Sequence, residues 1–357
     1  MRACRASLRG LDTQPCNLTG GRQLATIFVS LACLWWIIRA TGGWSILFSA
    51  GLSALLGVVL VRAFVLMHDC GHGSLLRSPW GNRFFGTALG VLTGLPQAVW
   101  ARRHEHHHRT NGDWDRYRGP LSVIPVLEYL RLSRWRRVHY RMARSIWLAP
   151  VGGFLYLVVF PRLNFLRASA ALLGQAAGAW RHPAMGGCIR AVRDFHRPYC
   201  ESIVDYRHMV VNNVVLVALW VAMARALGPA LFVMCYAIAM AVAGSAAIIL
   251  FSVQHNFAHA YASSTAAWNR DHAISRGTSF LVLPGWLNWV TADIAYHHVH
   301  HLCSGIPNYR LAACHAHQQD AFSPVTRLQL AELPGALKYI LWDVAAQRLV
   351  CVAEVPS

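Results

Sequence analysis

The stretch Tyr296-His297-His298-Val299-His300-His301-Leu302 places four histidines within five consecutive positions. Two shorter clusters precede it: His68-Asp69-Cys70-Gly71-His72 and His104-Glu105-His106-His107-His108. Residues three and four positions apart lie on one face of a helix. The histidines that share a face within their own cluster are His68 and His72; His104, His107 and His108; and His297, His300 and His301. Eight imidazoles are more than one transition metal usually accepts from a protein, so the pattern predicts two metal ions.

The type of ligand narrows the chemistry without identifying the metal. Neutral imidazole suits iron, zinc, copper and nickel. A structural zinc site closes at four ligands and usually includes cysteine, whereas the ten cysteines here are scattered and form no Cys-x-x-Cys pair. So many histidines without cysteine partners favour two metals that keep coordination positions open for a substrate or oxygen.

Some histidines are surplus to the predicted ligand sets. His106 and His298 fall off the shared faces, so we expect them outside the ligand shell. His255 and His259 compete for a ninth ligand position, and we favour His255 because it directly follows an apolar run, as His68 does.

Three acidic residues are candidates to hold ligand imidazoles through their second N–H, a common role next to metal-binding histidines. They are Asp69, Glu105 and Asp293, the last of which precedes His297 by four positions.

The composition is that of a membrane protein. Hydrophobic residues make up 55% of the 357 residues and charged residues only 13%, and the mean hydropathy is +0.34. The net charge of +18 is almost all arginine. Because these arginines lie in loops between apolar runs and form no separate basic domain, they indicate membrane orientation rather than nucleic-acid binding.

Apolar runs at 24–40 and 44–67 predict one helical hairpin, and runs at 210–226 and 229–253 predict a second. Glycine and proline interrupt two shorter runs, at 84–100 and 146–160, which we therefore interpret as re-entrant or interfacial. The predicted fold is an all-α membrane protein with four transmembrane helices in two hairpins. Its histidine-rich helical cap and both termini lie on the cytoplasmic side.

Three regions follow from this organisation. Residues 1–22 are predicted to form a mobile basic tail, and residues 23–320 the membrane-embedded domain that carries the histidines. Residues 321–357 are expected to form a C-terminal segment on the cytoplasmic side, with an amphipathic stretch at about 336–350 that covers the cap or lies in the membrane interface.

The three histidine motifs, in this order and with these separations, resemble the membrane fatty acid desaturases over roughly residues 45–315. The resemblance is sharpest at 68–74, at 107–113 and at 297–301 continuing to 306–311. The last run, Ile306-Pro307-Asn308-Tyr309-Arg310-Leu311, is similar to bacterial acyl-lipid desaturases of the Δ12/ω6 type.

The resemblance implies an enzyme of a bacterial cytoplasmic membrane that uses two iron ions and O2 to insert a cis double bond into an acyl chain. The acyl chain would be carried by a lipid or a thioester. The ligand positions that it implies are His68, His72, His104, His107, His108, His297, His300 and His301, with a further one near His255. No His-Pro-Gly-Gly haem signature is present, so we expect electrons from a separate ferredoxin or cytochrome.

Two other functions fit parts of the pattern. The same scaffold can hydroxylate or ketolate a carotenoid, sterol or alkane, and the histidines do not separate these outcomes. A metal transporter or a zinc-dependent membrane hydrolase is the third alternative. Transporters place polar ligands within the bilayer, whereas these clusters lie at the ends of apolar runs.

The basic loop after the second cluster has two interpretations. Arg102, Arg103 and Arg109 are suited to binding an anionic head group or an acidic electron donor, because guanidinium groups pair well with phosphate and carboxylate. Positive-inside topology alone explains them equally well.

Overall fold

The computed structural model describes residues 8, 11–42, 44–119, 121–181 and 187–355, and the described chain is mostly helical. The helices are α1 (Asn17–Ala40), α2 (Ile46–His72), α3 (Pro79–Leu92), α4 (Gln97–Thr110), α5 (Val126–Arg131), α6 (Arg134–Met142), α7 (Ala149–Phe154), α8 (Phe160–Arg181), α9 (Gly187–Arg193), α10 (Ile203–Leu227), α11 (Pro229–Val253), α12 (Arg270–Ser275), α13 (Gly285–Val290), α14 (His297–Leu302), α15 (Asn308–His317) and α16 (Leu333–Ala336). The strands are β1 (Ile124–Pro125), β2 (Ser279–Val282), β3 (Thr326–Gln329), β4 (Tyr339–Asp343) and β5 (Arg348–Cys351).

The four long helices expected from the apolar runs are present as α1, α2, α10 and α11. The predicted bounds of the last, 229–253, are confirmed. Helix α2 runs further than its apolar run and ends at His72, where Gly73 adopts a left-handed conformation with φ +69°. The first histidine cluster therefore lies on the last turn of a long helix and is held rigidly by it.

The expected count of four membrane helices is not confirmed. Within the described residues, five helices are long and apolar enough to cross a membrane, and the fifth is Ile146–Ala179. Its glycines and Pro161 do not end the helix, because a π-helical turn at Leu155–Val159 carries the chain through this region. Helices α3 and α4 together also pass the length and composition test, but they are bent by 101° where they meet.

The described part of residues 1–22, which the sequence predicts to be a mobile tail, makes specific contacts. Leu8 is 3% exposed, and Asp12 pairs with Arg310 at 2.7 Å. The backbone N–H of Cys16 donates to the Tyr309 hydroxyl at 2.6 Å, and α1 begins at the next residue. The described residues of this segment therefore pack on the segment that follows the third histidine cluster.

The all-α prediction also needs correction, because two small sheets lie in the cap. Strands β2 and β3 pair in parallel, and β4 lies between β1 and β5. The stretch at 336–350, predicted to be amphipathic, contains β4 and β5, which pair in antiparallel register with Leu341 opposite Val350. Branched and aromatic side chains separated by a short polar turn favour this hairpin over a helix.

Helix α2 is the centre of the apolar core, with α1, α3, α4 and α11 packed around it. Small residues permit the closest helix approaches. A Cβ atom on Gly153 of α7 would meet the backbone of Gly244 on α11, and one on Gly244 would meet the backbone of Gly153, in both cases closer than 3.0 Å. The fifth apolar helix is thereby fixed against the helix that leads into His255.

This contact makes Gly244→Ala a strongly destabilising change. Because only backbone faces the new methyl group, the two helices must separate, and we expect a clear fall in the thermal unfolding temperature of the detergent-purified protein. Gly174→Ala, in α8 of the same apolar helix, is the control. An added Cβ meets nothing within 4 Å there, and alanine is the better helix former. Equal unfolding temperatures for the two variants would contradict the packing described.

Candidate metal centre

Three helices bring five histidines together in a first group. His68 and His72 lie on α2, His104 and His108 on α4, and His300 on α14. Each offers one imidazole nitrogen, and these nitrogen atoms all lie within 4.8 Å of one another.

A second group of four buried histidines lies beside the first. His107 comes from α4, His255 follows the end of α11, and His297 and His301 lie on α14. Their ligand nitrogens also lie within 4.8 Å of one another. The structure therefore brings together all nine histidines that the sequence selected, in two sets. Their role as ligands stays a prediction.

Consecutive histidines join the two groups. His107 belongs to the second group and His108 to the first, and His301 and His300 are divided in the same way. The rings of His108 and His301 stack with their centroids 4.2 Å apart. A His-His pair on a helix turns its two side chains by about 100° relative to each other, which explains why two of the three motifs contain one.

The nitrogen atoms of both groups fit bound cations. Facing Nε2 atoms lie 2.9 Å apart in His255 and His297, and 3.0 Å apart in His104 and His108 and in His108 and His300. Other buried nitrogens have no hydrogen-bond partner among the described residues: His68 Nε2, His72 Nε2, both ring nitrogens of His107, and His301 Nε2. An unsatisfied buried polar atom costs roughly 1–3 kcal/mol. A cation at the focus of each group would bind one nitrogen of each ring.

Burial keeps the imidazoles of His255 and of α14 in the neutral form that binds metal. It lowers the pKa of His255 to about 4. Burial and the neighbouring imidazoles lower the pKa of His297, His300 and His301 well below the ordinary value. Each ring therefore presents a lone pair at neutral pH.

Hydrogen bonds at Nδ1 orient the rings of His68 and His255. His68 Nδ1 lies 3.1 Å from Asp69 Oδ1, and the other oxygen of Asp69 accepts from the backbone N–H of Asn308 at 2.9 Å. His255 Nδ1 donates to the Gly277 carbonyl at 3.0 Å. Both contacts turn Nε2 toward the group, as expected beside a metal. Glu105 Oε2 lies 3.9 Å from His72 Nδ1, which is too long for a hydrogen bond.

The structure does not place Asp293 on a ligand histidine. His297 Nδ1 has no hydrogen-bond partner among the described residues, and the charge that acts on Asp293 is that of Arg62. The expectation assumed one helix through both positions. The chain instead turns at Asp293, where φ is +55°, and α14 begins only at His297.

The surplus histidines lie outside both groups. His106 is exposed on α4. His259 is also exposed, and its Nδ1 accepts from Arg348 at 2.5 Å, so the placement favours His255 for the ninth position. His298 is buried and lies on the opposite side of α14, where its Nε2 is 2.8 Å from His315 Nδ1. The sequence gives no sign of this contact between His298 and His315.

Two of the three arginines singled out in the sequence have structural partners. Arg102 pairs with the buried Asp205 of α10, and Arg103 donates to the Pro198 carbonyl at 3.1 Å. Arg109 is exposed and has no partner among the described residues. The interpretation of this trio as a head-group or donor site is therefore weakened.

A cavity of about 650 Å³ reaches both groups, through His104 of the first and His107 of the second. Its walls are mainly apolar and aromatic, and include Leu95, Val99, Trp100, Tyr117, Gly152, Tyr156, Phe160, Met209, Ile248 and Phe251.

Sequence reasoning missed the aromatic support that the cavity wall gives to His104. The Trp100 ring stacks on His104 with centroids 4.6 Å apart, and its N–H donates to the Tyr156 hydroxyl at 2.8 Å. Trp100 precedes His104 by four positions on α4, so helical spacing was a usable signal.

Comparison with known proteins identifies relatives of the whole arrangement. A family profile described as fatty acid desaturase matches residues 42–329. The chain is 29% identical over 323 residues to a fatty acid desaturase of Bacillus subtilis, which covers 90% of this chain and 82% of that protein. It is 25% identical over 264 residues to an sn-1 oleoyl-lipid 12-desaturase of Picosynechococcus, covering 73% and 66%. A protein of the same name from Synechocystis is 25% identical over 283 residues, covering 75% and 67%. The resemblance predicted from the histidine motifs is confirmed.

Two histidines on α14 provide a matched test of the ligand assignment. His300→Gln removes a nitrogen at the focus of the first group, so we expect loss of most of one metal ion per chain, measured by elemental analysis of the purified protein. His298→Gln carries the same substitution two positions away and should retain the metal, with a lower unfolding temperature because it breaks the buried pair with His315. Equal metal loss in both variants would break the assignment.

Proposed function

This chain belongs to the fatty acid desaturase family, and we propose that its nine clustered histidines hold two iron ions at which an acyl chain loses two hydrogens. His68, His72, His104, His108 and His300 would hold one iron, and His107, His255, His297 and His301 the other. Asp69 orients His68. Histidine suits iron as well as other metals, and membership in a fatty acid desaturase family selects iron among them.

The observation that carries this proposal is that one apolar cavity touches both histidine groups. When bound, the irons supply the oxidant, using O2 and two electrons, that removes hydrogen from adjacent methylenes. An unactivated C–H bond offers no acidic proton to a side-chain base, so the residues around it bind and position rather than exchange protons. The volume of about 650 Å³ lies within the range of small-molecule sites.

The walls of the cavity determine how the acyl chain lies. Phe251 and Trp100 flank His104, with ring centroids 6.0 and 4.6 Å from it. The centroids of the Tyr117 and His107 rings lie 5.0 Å apart. Such aromatic faces exclude water and leave an apolar slot beside the two groups, which is the environment that a methylene chain prefers.

The membrane topology follows from the convergence of the ligands. His72, His108 and His255 lie at or beyond the ends of α2, α4 and α11 and reach one centre, so these ends share one side of the membrane. If α10 and α11 both cross, the helix Ile146–Ala179 makes no net crossing, because a fifth crossing would place His255 on the opposite side. This parity supports four crossings in two hairpins. The surplus of arginine in the cap supports a cytoplasmic position for the histidines.

The substrate and the electron donor complete the proposal. Two of the relatives are named sn-1 oleoyl-lipid 12-desaturases, which favours a lipid-linked acyl chain here over a thioester. The electrons come from a separate ferredoxin or cytochrome.

Expression in a host that lacks polyunsaturated lipids tests the reaction directly. Gas chromatography and mass spectrometry of fatty-acid methyl esters should reveal a new species two mass units lighter than its precursor. The His300→Gln variant is the control and should yield no such species. A product sixteen mass units heavier, without a new double bond, would instead indicate hydroxylation.

Gly152→Leu tests the cavity separately from the metal centre. A Cβ atom at Gly152 would lie 3.3 Å from Ile248 Cδ1, so a leucine side chain must occupy the cavity. We expect desaturation to fall at least about tenfold while bound metal stays constant. Gly174→Leu, where an added Cβ meets nothing within 4 Å, should leave both unchanged. Full activity of Gly152→Leu would place the acyl chain elsewhere.

A further inference from the structure

A second site is indicated by an uncompensated run of arginines between α5 and the long apolar helix. Arg131, Arg134, Arg136 and Arg141 are exposed, and their guanidinium groups have no hydrogen bond or ion pair among the described residues. Residues 129–193 contain no aspartate or glutamate. We call residues 131–144 the basic platform. Its charge is not balanced by acidic side chains of the same segment, so it is available to an anionic partner.

Large apolar side chains are exposed around the same arginines. Trp135 is 84% exposed and Trp147 is 87% exposed, and Leu127, Met142 and Val151 are also more than half exposed. Tryptophan beside arginine is typical of the boundary between head groups and hydrocarbon. The apolar helix Ile146–Ala179 begins only four residues after α6 ends. The platform therefore lies where a lipid surface is expected.

Contacts with β4 and with Leu121 hold the platform in place. Tyr140 is buried, and its hydroxyl donates to the Ile340 carbonyl of β4 at 2.6 Å. Arg144 donates to the Leu121 carbonyl at 2.6 Å, and its guanidinium lies over the Tyr140 ring. These arginine and tyrosine contacts fix α6, while Arg134, Arg136 and Arg141 stay free to bind.

A groove of about 530 Å³ lies along the platform, and one small cavity lies between it and the cavity proposed for the acyl chain. Its lining residues are Leu132, Trp135, Arg136, His139, Tyr140, Ala143 and Arg144. Ala143 and Arg144 also line a small cavity behind the groove. That cavity in turn shares Leu121, Gly152, Ile248 and Ser252 with the cavity that reaches His104 and His107. The groove and the substrate cavity are thus neighbours along one wall.

We infer that the basic platform binds the head groups of anionic phospholipids near the cavity proposed for the acyl chain. The arginines pair with phosphate, while Trp135 and Trp147 lie against the upper acyl chains. An acidic electron-donor protein is the rival partner, but a protein surface does not explain two tryptophans exposed next to an apolar helix. The inference depends on the proposed function only for the membrane placement of the chain.

Fluorescence quenching by brominated lipids tests this site. The full-length protein in neutral detergent is titrated with phosphatidylglycerol or phosphatidylcholine, each brominated on its acyl chains. We expect half-maximal quenching at a lower mole fraction of phosphatidylglycerol. Arg134→Gln/Arg136→Gln/Arg141→Gln should raise that mole fraction at least about tenfold, since each arginine near an anionic surface contributes up to roughly fivefold. Trp135→Phe should remove part of the quenching that distinguishes the two lipids.

The control carries the same loss of charge at other exposed arginines: Arg39→Gln/Arg225→Gln/Arg270→Gln. It should keep the preference for phosphatidylglycerol. Equal quenching by the two lipids in the unmodified protein, or an unchanged preference in the platform variant, would overturn the inference. Abolition of the preference by inorganic phosphate at the same concentration would also overturn it, in favour of a site for free phosphate.

The donor alternative and the proposed function have separate readouts. Unaltered lipid quenching with weakened binding of an acidic ferredoxin to the platform variant would assign the arginines to a protein partner and overturn the lipid inference. Quenching does not depend on catalysis. A protein that prefers phosphatidylglycerol but forms no new double bond would therefore count against the proposed function while supporting the lipid site.

Discussion

Nine imidazoles held away from water in two tight groups are the constraint on which this structure depends. Neutral histidines cannot satisfy one another when several lone pairs face the same point, because each ring carries a single N–H. Each unsatisfied buried nitrogen costs roughly 1–3 kcal/mol, against a total stability of about 5–15 kcal/mol for a folded protein. Bound cations would relieve this cost, which is why we propose the nine histidines as metal ligands.

Four separate parts of the chain meet at these groups, and the apolar helices make the meeting reproducible. Helix α2 carries His68 and His72 on its final turns, and α11 ends directly before the segment that bears His255. Close backbone contact at Gly153 and Gly244 fixes α11 against its neighbour. The membrane-embedded helices thus act as rigid supports, and the cap needs to place only α4 and α14.

Helical spacing selected eight of the nine histidines, because residues on one helix face recur with a simple period, and His255 was favoured because, like His68, it follows an apolar run. The same reasoning failed where it assumed continuous helix. Asp293 is separated from His297 by a turn, and the stretch around Leu341 forms a strand instead of a helix. The placement of the N-terminal segment and the His298–His315 pair depend on contacts between separate segments of the chain. A single sequence does not reveal such contacts. The number of crossings stays a proposal, because hydropathy alone gives five candidate helices and parity argues for four crossings.

Asp69 shows how the last histidine cluster is joined to the first. One carboxylate oxygen orients His68, and the other accepts the first backbone N–H of α15. On the opposite side, the Gln254 side chain donates to the Ile294 carbonyl at 2.9 Å, and the Leu281 N–H donates to the Ala295 carbonyl. Both ends of the segment that carries α14 are thus bound to residues adjoining His68 and His255. The helix that closes both histidine groups is positioned by the neighbours of the ligands it meets, so the metal sites and the cap are expected to form together rather than in sequence.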